Sequence, residues 1–186
     1  MSQPFSILFV DDEGEILDLI SRILRGASFE VLTAVGGEEA LAILRTRRVD
    51  VLVSDMDMPD MDGIGLLRRV RAEHPSTLRM VLTGAATAER ALAAINEGEV
   101  VRMFSKPFEP TLFRATIESL ATRIDRLRSD DDEASASQRY EAFRRWVDAS
   151  YPTLGEVRRD KEGSVLIGER ELSKLVPATL WTRLLG

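Results

Sequence analysis

Five short, mostly apolar runs alternate with helical patterns in the first two thirds of the chain, and this alternation constrains the fold more than any other sequence feature. The runs lie at residues 7–10, 29–34, 49–53, 80–82 and 100–104. A short apolar run bounded by turn signals is typical of a strand buried on both faces. Strands that alternate with helices form a parallel sheet with helices on both sides. The sequence therefore predicts an α/β fold with a doubly wound, five-stranded parallel sheet.

Polar side chains end four of the five predicted strands. Asp11 and Asp12 follow the first strand, Asp55 the third, Thr83 the fourth and Lys106 the fifth. In a doubly wound sheet, ligands bind beside the carboxyl ends of the strands, so we expect these side chains to meet in one pocket. Lys106 is the only lysine in the first 129 residues, where every other basic residue is an arginine. Its compact ammonium on a flexible stem suits a small anionic target.

The predicted pocket suits phosphoryl transfer. Three carboxylates, those of Asp11, Asp12 and Asp55, would repel one another unless a cation lay between them. Mg²⁺ prefers oxygen ligands and commonly binds beside phosphate groups. A carboxylate that attacks phosphorus forms an acyl phosphate, while a metal, an ammonium and a hydroxyl neutralise the oxygens of the transferred group.

The pocket residues and their surroundings resemble the receiver domain of response regulators in two-component signalling, of the chemotaxis-regulator type. The resemblance covers about residues 5–125 and rests on four motifs in a fixed order. These are Val10-Asp11-Asp12-Glu13, Asp55-Met56-Asp57-Met58-Pro59-Asp60-Met61-Asp62-Gly63, Leu82-Thr83-Gly84 and Phe104-Ser105-Lys106-Pro107-Phe108. The resemblance implies a flavodoxin-like fold with strand order 2-1-3-4-5.

The resemblance also assigns roles to individual residues. Asp55 would be the phosphoacceptor, and Thr83 and Lys106 would bind the phosphoryl oxygens. Phe104 would be an aromatic switch, and the Lys106–Pro107 peptide is often cis in the family. The implied Mg²⁺ ligands are Asp11, Asp12, Asp55 and the backbone carbonyl of Asp57.

The implied function is that of a signalling protein rather than an enzyme, with slow self-dephosphorylation at most. A histidine kinase or phosphotransfer protein would phosphorylate Asp55 and change the face formed by the predicted fourth helix (residues 87–96), the fifth strand and the fifth helix. A remote alternative is a phosphatase of the haloacid-dehalogenase type, which uses a D-x-D motif such as Asp55 and Asp57. That family places this motif after its first strand, whereas here an acidic pair comes first.

The predicted fifth helix begins near Pro110 and carries apolar residues at heptad spacing. They are Phe113, Ile117, Leu120, Ile124 and Leu127. This spacing is typical of a coiled-coil seam and would permit a homodimer. It is also what the core face of a helix on the sheet would show. The sequence leaves both interpretations open.

The sequence predicts a receiver at residues 1–128, a polar linker at 129–137 and a small α+β output segment at 138–186. We expect the last segment to contain a helix, a hairpin at residues 156–160 and 164–167, and further helix. Residues 134–186 carry nine basic and seven acidic residues, and the basic residues are interspersed with acidic ones. We therefore expect a protein partner in preference to DNA, with a DNA-binding transcriptional output as the alternative.

Composition excludes several other classes. The chain has no cysteine, which excludes disulfide frameworks and thiol catalysis. Its sequence contains no apolar stretch near the roughly 20 residues that span a membrane. The N-terminal residues lack the pattern of a signal peptide. We therefore expect a cytoplasmic protein with no membrane contact.

Overall fold

The computed structural model describes residues 4–84 and 102–129, together with residues 145, 158–159 and 165–166. Five parallel strands form one sheet in the order β2-β1-β3-β4-β5. The strands are β1 (Ser6–Val10), β2 (Glu30–Ala34), β3 (Val51–Asp55), β4 (Leu78–Thr83) and β5 (Arg102–Ser105). The predicted fold class and strand order are therefore confirmed.

Four helices accompany the sheet in the described residues. They are α1 (Gly14–Ile23), α2 (Gly37–Thr46), α3 (Gly63–Glu73) and α4 (Pro110–Ser129). The predicted fourth helix, at residues 87–96, lies outside the described residues, so α4 is the predicted fifth helix. Within the described ranges, no helix combines the length and apolar character that a membrane crossing requires.

Little of the C-terminal segment falls within the described residues. Two short strands, β6 (Arg158–Arg159) and β7 (Val165–Leu166), pair antiparallel, as the predicted hairpin requires. The described part of helix α4 reaches Ser129, the first residue of the predicted linker. The rest of the linker and, apart from Arg145, the predicted helices of the segment lie outside the described residues.

The core has two layers because alternate side chains of each strand point to opposite faces of the sheet. Ile7 and Phe9 of β1 pack with α1 and α4 on one face. Leu8 and Val10 of the same strand pack with α2 and α3 on the other. Every residue of β1, β3 and β4 is buried. This double burial explains why these strands are almost continuously apolar in the sequence.

The heptad positions of α4 face the receiver's own core. Phe113, Ile117, Leu120 and Ile124 are at most 7% exposed and belong to the layer shared with α1. The core-face interpretation is thus confirmed for these four positions, while the side chain of Leu127 lies outside the described ones. Because these side chains already pack against the sheet, they are not available to a dimer partner in this fold.

A buried polar group at the amino ends of the strands was missed from the sequence. Arg79 is 1% exposed, and its guanidinium donates a hydrogen bond to the Thr77 carbonyl over 2.7 Å. Nearby, buried Asp50 accepts a hydrogen bond from the backbone N–H of Ser6 at 3.0 Å. Hydrogen bonds of this kind make the burial of charged groups tolerable. Arg79 interrupts the apolar pattern, which is why the predicted fourth strand began only at Met80.

Glu109 caps the N-terminus of α4. Its carboxylate accepts hydrogen bonds from the backbone N–H of Thr111 (2.9 Å) and of Leu112 (2.6 Å), and these bonds lower the pKa of Glu109. A carboxylate whose pKa is lower in the folded state stabilises the fold at neutral pH, and this stabilisation disappears as the pH falls through the folded pKa. We expect Glu109→Gln to lower the melting temperature by a few degrees at pH 7 and to have no effect once Glu109 is protonated. Circular dichroism melts across this pH range test the prediction, and a pH-independent difference would contradict it.

Candidate functional site

Lys106 connects the carboxyl ends of β1 and β3 through its ammonium. Its Nζ lies 2.6 Å from Oδ2 of Asp11 and 2.9 Å from Oδ1 of Asp55. The side chains of Asp11 and Asp55 are only 1% and 6% exposed, and that of Lys106 is 15% exposed. Three of the predicted site residues therefore meet in one place, shielded from solvent.

Backbone contacts fix this arrangement. The N–H of Lys106 donates to the carbonyl of Thr83 at 2.7 Å, and the Lys106–Pro107 peptide is cis. Oδ1 of Asp11 accepts the N–H of Glu13 at 3.0 Å, and Oδ2 of Asp55 accepts the N–H of Asp57 at 2.6 Å. In each carboxylate, one oxygen thus contacts the Lys106 ammonium and the other accepts a backbone N–H.

Thr83 ends β4 with a buried hydroxyl. The residue is 3% exposed, and its Oγ1 has no hydrogen-bond partner within the described part of the chain. Buried hydroxyls without a partner are uncommon because the loss of hydration is not compensated. The hydroxyl is therefore available to an oxygen-rich ligand at this end of the sheet.

The three carboxylates predicted to converge do not all meet at Lys106. Those of Asp11 and Asp55 share the ammonium, whereas Asp12 is exposed. Asp57, for which only the backbone carbonyl was predicted as a ligand, is also exposed. Among residues 4–84 and 102–129, no three acidic side chains lie close enough together to hold a metal ion. The donors present nevertheless fit a divalent cation, because two buried carboxylates already share one positive charge and carboxylate oxygens are the ligands that Mg²⁺ prefers.

Burial shifts the pKa values of the cluster. It raises the pKa of the Asp11 carboxyl, and hydrogen bonds from Lys106 and the Glu13 N–H only partly offset this effect. Burial alone would lower the pKa of Lys106, but its hydrogen bonds to Asp11 and Asp55 together outweigh burial and raise that pKa. Lys106 therefore stays positively charged at neutral pH and neutralises part of the charge of the two acids.

Phe104 lies two residues before Lys106 and is partly buried against the layer of the core shared by α1 and α4. Its ring packs edge-on against Phe113 of α4, with 5.4 Å between ring centroids. Phe108 stacks on the same Phe113 ring at 4.5 Å. The predicted switch residue is thus in direct contact with the C-terminal helix of the described receiver.

Gly63 supports the site in a way that the sequence interpretation missed. A Cβ at this position would lie 2.0 Å from the backbone carbonyl oxygen of Asp55, and the N–H of Gly63 donates to the Met56 carbonyl at 3.1 Å. Helix α3 therefore begins in contact with the backbone of the predicted phosphoacceptor. The available signal was a glycine directly after Asp62, whose side chain caps α3 by accepting the N–H of Gly65 at 2.8 Å.

Comparison with known proteins identifies the fold and the domain family. A family model described as the response regulator receiver domain matches residues 7–118. Among solved structures, the chemotaxis response regulator CheY4 of Vibrio cholerae aligns with a TM-score of 0.57 and 31% identity, covering 63% of this chain and 98% of that one. The signal receiver domain of an HD domain-containing protein from Pseudomonas fluorescens Pf-5 aligns with a TM-score of 0.60 and 34% identity, covering 63% and 94% of the two chains.

Curated relatives are longer proteins. The hydrogenase transcriptional regulatory protein HoxA of Bradyrhizobium diazoefficiens is 31% identical over 134 residues, which are 72% of this chain and 27% of HoxA. The DNA-binding transcriptional regulator NtrC of Salmonella typhimurium is 35% identical over 100 residues, which are 54% of this chain and 21% of NtrC. The chain thus spans only about a quarter of the length of these relatives.

Proposed function

The chain belongs to the receiver-domain family of two-component response regulators, and from this premise we propose that Asp55 accepts a phosphoryl group from a histidine kinase or phosphotransfer protein. The observation that supports the proposal is the placement of three complementary groups. The buried carboxylate of Asp55 lies 2.9 Å from the ammonium of Lys106. Strand β4 ends at the same side of the sheet with the Thr83 hydroxyl, which has no hydrogen-bond partner among the described residues.

The chemistry follows from these groups. Oδ1 of Asp55 attacks phosphorus, because Oδ2 accepts the N–H of Asp57 and is held by it. The new P–O bond forms an acyl phosphate as the P–N bond to the donor histidine breaks, and the leaving imidazole takes up a proton. Lys106 and the Thr83 hydroxyl then bind oxygens of the transferred group and stabilise its charge.

Mg²⁺ would be held by Asp11 and Asp55, with the exposed Asp12 and the carbonyl of Asp57 as further ligands, and would neutralise charge on the phosphoryl oxygens. Lys106 meanwhile has to release part of its contact with Asp55, since the same Oδ1 forms the new bond. The protein's own contribution is therefore to exchange one partner of Lys106, a carboxylate oxygen, for a phosphoryl oxygen.

We propose that phosphorylation changes the surface around β5 and α4, because the ligand-binding Lys106 and the ring of Phe104 are two residues apart on this strand. The regulated event would be the association of a protein partner or of a second copy of this chain with that surface. HoxA and NtrC are named as transcriptional regulators, and this chain spans 27% and 21% of their respective lengths. Duplex DNA is therefore the alternative ligand for the C-terminal segment.

The direct test is labelling of the full chain with a small phosphodonor in the presence of Mg²⁺. We expect the protein to carry a phosphoryl group that base removes, as it does from an acyl phosphate. We expect Asp55→Asn to abolish the label, because an amide cannot form the acyl phosphate. Asp60→Asn is a matched control: it removes an exposed carboxylate from the same loop, at a left-handed φ of 66° that asparagine tolerates.

The control variant should be labelled like the wild type. Undiminished labelling of Asp55→Asn would refute the assignment of the phosphoacceptor. Size-exclusion chromatography of the same samples, with and without the phosphodonor, would show whether phosphorylation changes the association of two copies.

A further inference from the structure

A cleft lies at the amino ends of β3 and β4, at the opposite end of these strands from Asp55. It has a volume of about 330 Å³ and lies between the end of α2 and the turn that joins α3 to β4. Its volume falls at the lower end of the range of small-molecule sites. The phosphoryl-transfer groups are at the carboxyl ends of the strands, so this cleft is separate from them.

The α2 side of the cleft carries arginines, although the whole chain has a net charge of −6. Arg47 is paired with Glu30 at 2.7 Å, and Nε of Arg48 lies 3.5 Å from Oδ1 of Asp50. Among the described residues, the exposed Arg45 makes no hydrogen bond or ion pair. The cleft therefore has one uncompensated guanidinium and a second, Arg48, in a long and half-exposed contact.

The other side of the cleft supplies further hydrogen-bond donors. His74 and Ser76 line it, and among the described residues neither side chain has a hydrogen-bond partner. Thr77, beneath them, is buried and uses its hydroxyl on the Val49 carbonyl at 2.9 Å, which ties the two walls together. The position of this turn is thus fixed relative to the arginines.

Arginines near a helix C-terminus are also favourable without any ligand, because they face the negative end of the helix dipole. That explanation accounts for the α2 side alone. It gives no reason for a concave site whose second wall, from a different helix and strand, presents an imidazole and a hydroxyl. Guanidinium forks and neutral donors together are the usual environment of a bound phosphate.

We propose that this cleft binds a phosphate monoester of a small molecule, with the phosphate between Arg45, Arg48 and Ser76. The cleft is larger than a phosphate group, so part of the organic moiety lies against His74 and the end of α2. The site is independent of phosphorylation at Asp55, and a chain that failed to accept a phosphoryl group could still bind this ligand.

The test is a residue-resolved NMR titration of the full chain at constant ionic strength, with EDTA present and with inorganic phosphate or adenosine 5′-monophosphate as the probe. We expect saturable shifts of the amides of residues 44–49 and 76–77, at lower concentrations of the monoester than of phosphate. Arg45→Gln should weaken binding about tenfold, since it removes a charged hydrogen bond from an exposed side chain. Arg25→Gln, which removes an exposed arginine after α1, is the matched control and should bind like the wild type.

Three results would overturn the proposal. The cleft amides could fail to shift, they could shift equally in Arg45→Gln and the wild type, or the monoester could bind no more tightly than inorganic phosphate. Amides around Asp55 and Thr83 report the phosphoryl-transfer site separately in the same spectra, so failure at one site is distinguishable from failure at the other.

Discussion

Gly63→Ala is expected to abolish labelling of Asp55 and to lower the free energy of unfolding by roughly 3 kcal/mol, the upper part of the range for overpacked sites. The added Cβ would lie 2.0 Å from the Asp55 carbonyl oxygen and 2.8 Å from Cα of Met56. Both atoms belong to the backbone at the end of β3, so they cannot rotate away as a side chain could. The end of β3 or the start of α3 has to shift, and either shift moves the Asp55 carboxylate relative to Lys106.

Gly14→Ala is the matched control, since it also places alanine at the first residue of a helix. Among the described residues, no atom lies within 4 Å of a Cβ at Gly14, and we expect this variant to be as stable as the wild type or slightly more so. Urea denaturation and phosphodonor labelling of both variants provide the measurement. Normal labelling of Gly63→Ala at wild-type stability would show that α3 does not position the acceptor.

Two substitutions of Lys106 separate its charge from its shape. Lys106→Ala removes the ammonium between Asp11 and Asp55 and leaves two buried carboxylates without a cation, so we expect labelling to slow about 100-fold, as for loss of one charge-stabilising donor. Lys106→Arg keeps the charge but places a wide planar group where the side chain is only 15% exposed. We expect this variant to be labelled more slowly than the wild type and to lose the structural response to phosphorylation.

That response can be measured as the shift of the Phe104 amide and ring signals when a phosphoryl mimic is added. In Lys106→Arg, we expect the mimic to bind with little change at Phe104, because the guanidinium cannot reproduce the contact that joins the site to β5. A wild-type response of Phe104 in this variant would mean that the coupling does not pass through Lys106.

The strands and their order were predictable because double burial requires apolar runs, and such runs are visible in a single sequence. The ends of those strands predicted the meeting of the Asp11, Asp55 and Lys106 side chains for the same reason. Thr83 contacts Lys106 through its backbone carbonyl. The sequence did not predict that Asp12 is exposed, since adjacent residues share a motif yet point in different directions.

Other features depended on contacts between distant segments. Heptad spacing on α4 is produced equally by a dimer seam and by the core face of a helix, and only packing distinguished them. Arg79 was missed because a buried guanidinium depends on partners that no local pattern reveals. The role of Gly63 required the distance to Asp55, eight residues earlier in the chain.

The contact between Phe104 and Phe113 has a mechanical consequence. Phe113 lies in the first turn of α4, a single helix of 20 residues that leads towards the C-terminal segment. A straight helix rises about 1.5 Å per residue, so its last residue lies about 24 Å beyond Phe113, and a tilt of about 10° there displaces that end by about 4 Å. We expect a rotation of Phe104 to shift Phe113 and the start of α4, with the buried Ile117, Leu120 and Ile124 repacking on the sheet as the helix moves. The far end of the helix would then be displaced enough for a binding partner to detect.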